Sequence, residues 1–421
     1  MSKHLLVIED SKQIGKVIER MGESLGYRVT IANSFAMVKE LLSKDHDFFV
    51  ATIDYCLPDA LDGEVIPYVL EYNIPSIVMT GRMDDNTRNK ILNLPIIDYI
   101  TKENTQAYHY LLRILYGQIN NHKMGVLVVD DSLTARNHIC YLLKRRNFIV
   151  YDEPDGIKAL QSLNDNDDIK IVITDQEMPG MDGVELVQKI RKDHTRNELI
   201  IIAISGANKK SQSARFIKNG ADDFLRKPFC PEEFYCRVMQ NIEKLQYIEK
   251  IEIAGNTDYL TSLYNRRHFL EEAHKVQVDL AKQTDSYLVV ILCIEDFKTI
   301  NNKYGHNFGD AMLVQLSVLL KENFPKGMIA RFGGAEFGLL LSANEIGEIE
   351  SQLRGFQRTA NTHVVSYKEI NETFNLSIGG MIVDADSSLQ SLLKKADQAL
   401  NQAAKKETNK LVVSGYIELS E

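Results

Sequence analysis

Two aspartates, Asp54 and Asp175, end apolar runs, and each is accompanied at matching positions by the same set of reactive side chains. Glu9 and Asp10 precede Asp54 as Asp130 and Asp131 precede Asp175; Thr80 and Lys102 follow the first as Ser205 and Lys227 follow the second. A carboxylate that accepts a phosphoryl group is a nucleophile working beside a cation that neutralises the donor's oxygens. Mg²⁺ takes oxygen ligands, usually one or two carboxylates with water. Asp10 with Asp54, and Asp131 with Asp175, can supply them, with Glu9 and Asp130 as second acids. Lys102 and Lys227 offer ammonium groups to an acyl phosphate, and Thr80 and Ser205 offer hydroxyls. A single acid at a strand end is usually a solvated terminus, but five matched positions occurring twice are not explained that way.

The elements that must position these groups repeat with them. Leu5-Leu6-Val7-Ile8-Glu9-Asp10-Ser11 recurs as Val126-Leu127-Val128-Val129-Asp130-Asp131-Ser132, an apolar strand pattern running into two acids and a helix-starting serine. Phe49 to Asp54 answers Ile171 to Asp175, each with a proline four residues on, Pro58 and Pro179. Ser76 to Gly81 answers Ile202 to Gly206, and Asp98 to Lys102 answers Asp223 to Lys227. Short apolar strands alternating with amphipathic stretches such as Glu185 to Arg191 predict a doubly wound parallel sheet in each copy. In such sheets functional residues gather at the carboxyl ends of the strands, where all of these lie. Both copies resemble response-regulator receiver domains. The resemblance implies phosphoacceptors at Asp54 and Asp175 and backbone carbonyls of Cys56 and Glu177 that complete a Mg²⁺ site. It also implies switch aromatics at Tyr99 and Phe224 that turn inward when the hydroxyl moves, and a histidine kinase or phosphotransfer protein as partner. The copies differ: the first has fewer residues between acceptor and hydroxyl, predicting a shortened third helix, and Glu103 stands where the second has Pro228.

Near the other end of the chain, Arg331-Phe332-Gly333-Gly334-Ala335-Glu336-Phe337 is followed by the apolar run Gly338 to Leu341. This reads as the tip of a β-hairpin whose glycines allow a tight turn and close approach of a ligand. Together with Asp258 to Arg267, Phe297-Lys298-Thr299-Ile300-Asn301-Asn302 and Gly305 to Asp310, it resembles the GGDEF family of diguanylate cyclases over about residues 255 to 415. The resemblance implies an α+β, nucleotide-cyclase-like fold, with Asn301 and Asp310 reading a guanine base. Lys298, Gly333, Gly334 and Glu336 would surround the remainder of a GTP molecule. Departures cluster at the reacting end. Cys293 stands in place of the first metal carboxylate and Ala335 in place of the second, and the phosphate lysine of the final helix falls on Ala404, beside Lys405. Glu295 is a candidate substitute ligand. Purine recognition is expected to be retained and metal catalysis lost, because metals supply most of the charge neutralisation in phosphoryl transfer.

The 421 residues allow about two to four domains and divide as 1–120 and 123–245 for the two receivers and 246–421 for the GGDEF-like domain with its helical linker. In that linker Phe234, Val238, Ile242, Leu245, Ile248 and Ile251 form one stripe of a long helix, packing at its start and pairing in a homodimer toward its end. A net charge of −9 without a Lys/Arg block argues against nucleic-acid or membrane-surface partners. Apolar runs too short to span a bilayer, five cysteines without metal-ligand spacing, and no signal-peptide pattern before the first strand predict a cytoplasmic protein. Three functions stay open: a phosphorylation-controlled regulator with a silent, nucleotide-binding output, an active cyclase with substitute ligands, and a phosphorelay scaffold whose last domain dimerises.

Overall fold

The computed structural model describes residues 3–44, 46–81, 84–206, 211–279, 286–343, 346–383, 387–407 and 410–414. The chain forms two compact units, residues 1–246 and 247–421.

The first unit contains two sheets of one design. In the first, β1 (His4–Ile8), β2 (Arg28–Ala32), β3 (Phe48–Asp54), β4 (Ser76–Thr80) and β5 (Asp98–Thr101) alternate with α1 (Lys12–Ser24), α2 (Phe35–Leu42), α3 (Val65–Glu71), α4 (Asp85–Leu92) and α5 (Thr105–Asn120). In the second, β6 (Gly125–Val129), β7 (Ile149–Glu153), β8 (Ile169–Asp175), β9 (Ile200–Ser205) and β10 (Asp223–Arg226) alternate with α6 (Leu133–Arg145), α7 (Gly156–Asp165), α8 (Gly183–Asp193), α9 (Ser211–Lys218) and α10 (Pro231–Asn256). The strand orders β2-β1-β3-β4-β5 and β7-β6-β8-β9-β10 are the same, and all pairings are parallel. Every residue of β1, β4, β6 and β9 is buried, because helices cover both faces. Serines start the first helix of each copy: Ser11 accepts from the Ile14 N–H and Ser132 from the Ala135 N–H. The third helix is indeed shorter in the first copy, Val65–Glu71 against Gly183–Asp193.

In α10 the start of the predicted stripe packs within the first unit. Phe234, Val238 and Ile242 are buried in the core of the second sheet, and Leu245 packs against it in part. Tyr247 and Ile251 are exposed.

The second unit is built on a mixed sheet, ordered β11-β13-β14-β12-β17-β18. Its elements are β11 (Tyr264–Asn265), α11 (Arg266–Asp279), β12 (Ser286–Ile294), α12 (Phe297–Tyr304), α13 (His306–Asn323), β13 (Met328–Gly333), β14 (Glu336–Ala343), α14 (Ile346–Thr362), the ribbon β15 (Val364–Tyr367) and β16 (Ile370–Thr373), then β17 (Leu376–Ile382), α15 (Leu389–Ala404) and β18 (Leu411–Ser414). Alternation along β12 sends Leu288, Val290, Leu292 and Ile294 into one core with α13 and α14. Val289 and Ile291 go to the other face, against Phe269 of α11 and Leu392, Ala396 and Leu400 of α15. Gly379 lets α15 lie directly on β17, since a Cβ there would fall 2.1 Å from the Leu400 nitrogen.

Candidate functional site

In the first copy β3 and β4 deliver Asp54 and Thr80 at their carboxyl ends, and Lys102 follows β5. The Lys102 ammonium bonds Glu9 at 2.6 Å and Asp54 at 2.7 Å. Its backbone N–H donates to the Thr80 carbonyl at 2.8 Å, which fixes lysine and hydroxyl strands together. Carboxylate oxygens of Glu9, Asp10 and Asp54 lie within 4.8 Å of one another, a spacing that suits one small divalent cation. Burial disfavours the charged form of Lys102, but its bonds to Asp54 and Glu9 outweigh this and raise its pKa. Burial of Glu9 raises its pKa against the opposing pull of Lys102. The Cys56 N–H donates to Asp54 at 3.3 Å, and the Cys56 thiol donates to the Leu61 carbonyl.

The second copy repeats the arrangement with one difference. Lys227 bonds Asp130 at 2.7 Å and Asp175 at 2.5 Å. The other oxygens of these two acids accept from the Ser132 and Glu177 N–H groups, both at 2.9 Å. Asp131 is exposed, as Asp10 is, but among the described residues only the first copy gathers three acids so closely. Burial raises the pKa of Asp175, with Lys227 pulling the other way.

The two aromatics expected to act as switches, Tyr99 and Phe224, occupy different surroundings. The Tyr99 hydroxyl accepts from the Arg88 Nε at 3.1 Å and donates to Glu232 of α10 at 3.4 Å. Phe224 instead packs on Phe216, with ring centroids 6.0 Å apart.

In the second unit the hairpin is formed as its sequence predicts. β13 and β14 pair antiparallel with a register shift between Arg331 and Gly333. Gly333 and Gly334 have φ of 136° and 53°, backbone conformations that side chains resist. Arg331 braces the turn: its guanidinium donates to the Gly334 carbonyl at 2.8 Å and to Asp258 at 3.2 Å. Cys293 of β12 sits opposite Glu336 of β14, and the Ile294 N–H bonds the Ala335 carbonyl at 3.2 Å. The two departures from the metal-binding pattern therefore meet at one place. Burial, then the charges of Glu336 and Glu295, push the Cys293 thiol from 9.0 to about 11. It is a neutral thiol at ordinary pH, whereas the metal-binding form is the thiolate.

Glu295 is not free to replace the lost acids. It is ion-paired with Lys410, accepts from the Ser377 hydroxyl, and accepts from the Asn375 amide at 2.7 Å. An ammonium thus neutralises the Glu295 carboxylate. The base-reading candidates lie on the adjoining helices α12 and α13. The Asn301 Oδ1 is buried without a hydrogen-bond partner, close against Gly309, and Asp310 is exposed. Lys298 is exposed on the first turn of α12. Beside the hairpin a cavity of about 510 Å³ is lined by Arg266, Phe332, Glu336, Lys394 and Asp397.

Sequence reasoning did not single out Lys410, Ser377, Glu232 or Arg88. The first two lie far along the chain from Glu295, and strand pairing alone brings them to it.

Comparison with known proteins agrees with both halves of this geometry. A family model described as "Diguanylate cyclase, GGDEF domain" matches residues 255–410, and "Response regulator receiver domain" matches residues 126–239. The response regulator PleD of Caulobacter vibrioides is 21% identical across 98% of this chain and 99% of its own. The chemotaxis protein CheY1 of Helicobacter pylori is 38% identical over 26% of this chain and 89% of its own. A crystal structure of a two-component system response regulator/GGDEF domain protein is 31% identical, with TM-score 0.54, covering 58% of this chain and all of that one. No helix among the described residues is long and apolar enough to cross a membrane.

Proposed function

This chain belongs to the response regulators that join a receiver domain to a C-terminal GGDEF domain, and on that premise we propose that it is a phosphorylation-controlled signalling protein with a silent cyclase output. Its GGDEF unit binds guanine nucleotide weakly and does not join two GTP molecules into cyclic di-GMP.

Asp54 and Asp175 are the phosphoacceptors. Glu9, Asp10 and Asp54 would hold Mg²⁺ in the first copy, and Asp130, Asp131 and Asp175 in the second, with the Cys56 and Glu177 carbonyls. The cation supplies charge neutralisation for the transferred phosphoryl oxygens. Lys102 and Lys227, each already bridging the acceptor and a second acid, stand ready to pair with the new oxygens. Thr80 and Ser205 donate from the neighbouring strand ends. A cytoplasmic histidine kinase or phosphotransfer protein would supply the phosphoryl group.

The observation that carries the silent-output reading is the meeting of Cys293 and Ala335 beside a Glu295 already neutralised by Lys410. Losing a single charge-stabilising group costs about 10²–10³ in rate, and here two metal carboxylates are replaced. Base recognition is supported by the unpartnered Asn301 Oδ1 and the neighbouring Asp310. The purified full chain, incubated with GTP and Mg²⁺ with and without a small phosphodonor, should yield no cyclic product on chromatography. Turnover in either condition would overturn this reading in favour of an active cyclase with substitute ligands.

A further inference from the structure

The two helices that carry Asn301 and Asp310 are unequally anchored. Helix α13 buries a full side from Phe308 to Leu320, whereas no residue of α12 is buried. The start of α12 has no side-chain cap, and half-buried Phe297, Ile300 and Tyr304 attach it to the core. A single residue, Gly305 with φ of 86°, joins the two helices. Contacts beyond the backbone must therefore set the angle between them.

Tyr304, the last residue of α12, makes two such contacts. Its ring meets the fully buried Phe308 of α13 edge-on, with centroids 5.3 Å apart. Its hydroxyl donates to the Glu372 carboxylate on β16. Among the described residues β16 pairs only with β15, and this ribbon is fixed to α13. Val365 is buried in the core it shares with that helix, and the His363 Nε2 lies 3.1 Å from Gln315 of α13. Glu372 thus ties the free end of α12 to an element held by its neighbour. Lys303 also approaches Glu372, at 3.9 Å, but an exposed pair of that length orients little.

We propose that Tyr304 and Glu372 are positioning residues for guanine recognition: the ribbon clamps α12, through the Tyr304 hydroxyl, so that Asn301 and Asp310 meet one base together. This rests on the reading of those two as the base-reading pair. Asn301 lies one turn before Tyr304, on the adjoining helix surface. Its Oδ1 is buried without a partner, and a Cβ at Gly309 would fall only 1.9 Å from it. With so little clearance, a rotation of α12 against α13 displaces this acceptor directly relative to Asp310. A displacement of about 0.5 Å takes a recognition pair out of its productive geometry. Loss of the hydroxyl bond therefore lowers selectivity for the base while the Tyr304 ring still packs on Phe308.

The test uses full chains carrying Tyr304→Phe, Glu372→Ala, both together, or Glu372→Gln, each titrated with labelled GTP and labelled ATP in EDTA. The quantity read is the preference for GTP over ATP, because a general loss of folding weakens both ligands alike. Tyr304→Phe and Glu372→Ala should each lower the preference about five-fold or more, within the usual range of coupling between sites. The double variant should lose no more than either single one, since both remove the same bond. Glu372→Gln keeps an acceptor for the hydroxyl and should recover most of the preference. Preference kept in both single variants, losses that multiply in the double variant, or no recovery in Glu372→Gln would overturn the clamp, provided Asn301→Ala abolishes the preference. A chain with no preference for GTP, or one whose preference survives Asn301→Ala, would overturn the base-reading pair and the clamp together.

Discussion

Introducing the missing acids, Cys293→Asp with Ala335→Asp, is the perturbation whose consequence the structure fixes most closely. Position 293 lies opposite Glu336 and near Glu295, and its thiol is pushed from 9.0 to about 11 by burial and those two charges. An aspartate there would meet the same opposition to ionisation. At about 1.4 kcal/mol per tenfold, that is roughly 2–3 kcal/mol, reduced to about 1–2 kcal/mol because water reaches a half-buried site. The acid at 335 adds a further like charge. Without a divalent cation the double variant should therefore be less stable than the unmodified chain and bind GTP no better. With Mg²⁺ the same acids become ligands. The Mg²⁺-dependent gain in affinity for a non-hydrolysable GTP analogue should then be about tenfold or more, equivalent to about 1.4 kcal/mol. Either single change should give less than about twofold, because a lone acid makes a poor cage. Isothermal titration in Mg²⁺ and in EDTA, run beside the unmodified chain to subtract the receivers' own response, reads this directly. A double variant with no Mg²⁺-dependent gain would refute the assignment of positions 293 and 335. So would an unmodified chain that already shows it.

Intact mass after treatment with a small phosphodonor should show two phosphoryl additions in the unmodified chain and one in Asp175→Asn, and a single addition to the unmodified chain would remove one acceptor. Phosphorylation should strengthen self-association through the exposed Tyr247 and Ile251 end of α10, so light scattering should report a heavier particle with a phosphoryl mimic; constant mass over a wide concentration range would contradict this. Asp258 gives a stability prediction with a definite sign. Burial works against its charge, but its bonds from Thr261 and Arg331 outweigh this and hold its pKa below 3.8. The contribution is fully present above the unfolded value and is lost as pH falls through the lower folded value. Thermal unfolding of the full chain should therefore fall more steeply from about pH 5 to about pH 3 than that of Asp258→Asn, and parallel profiles would show that the pair is not stabilising.

Much of this was legible before the structure because the chemistry sits at strand ends, where sequence pattern is strongest. Asp54 and Asp175 close apolar runs, and the parallel sheets place Thr80, Lys102, Ser205 and Lys227 beside them by topology alone. The Gly333-Gly334 turn was equally readable, since its backbone conformations demand glycine. What escaped the sequence depends on partners that no local pattern fixes. Lys410 reaches Glu295 only because β17 pairs with both β12 and β18, and Glu232 reaches Tyr99 only because the two copies dock. The difference between the two acid clusters was also hidden, since Glu9 and Asp130 are both acids at matching positions and only the folded structure shows that Glu9, Asp10 and Asp54 gather within 4.8 Å.

The most direct test of a silent, nucleotide-binding output is titration of the unmodified full chain with labelled GTP, in Mg²⁺ and in EDTA, beside Asn301→Ala. Weak binding that changes little between the two conditions and is lost in Asn301→Ala is the predicted result. Tight binding that requires Mg²⁺, or binding that Asn301→Ala leaves intact, would contradict it.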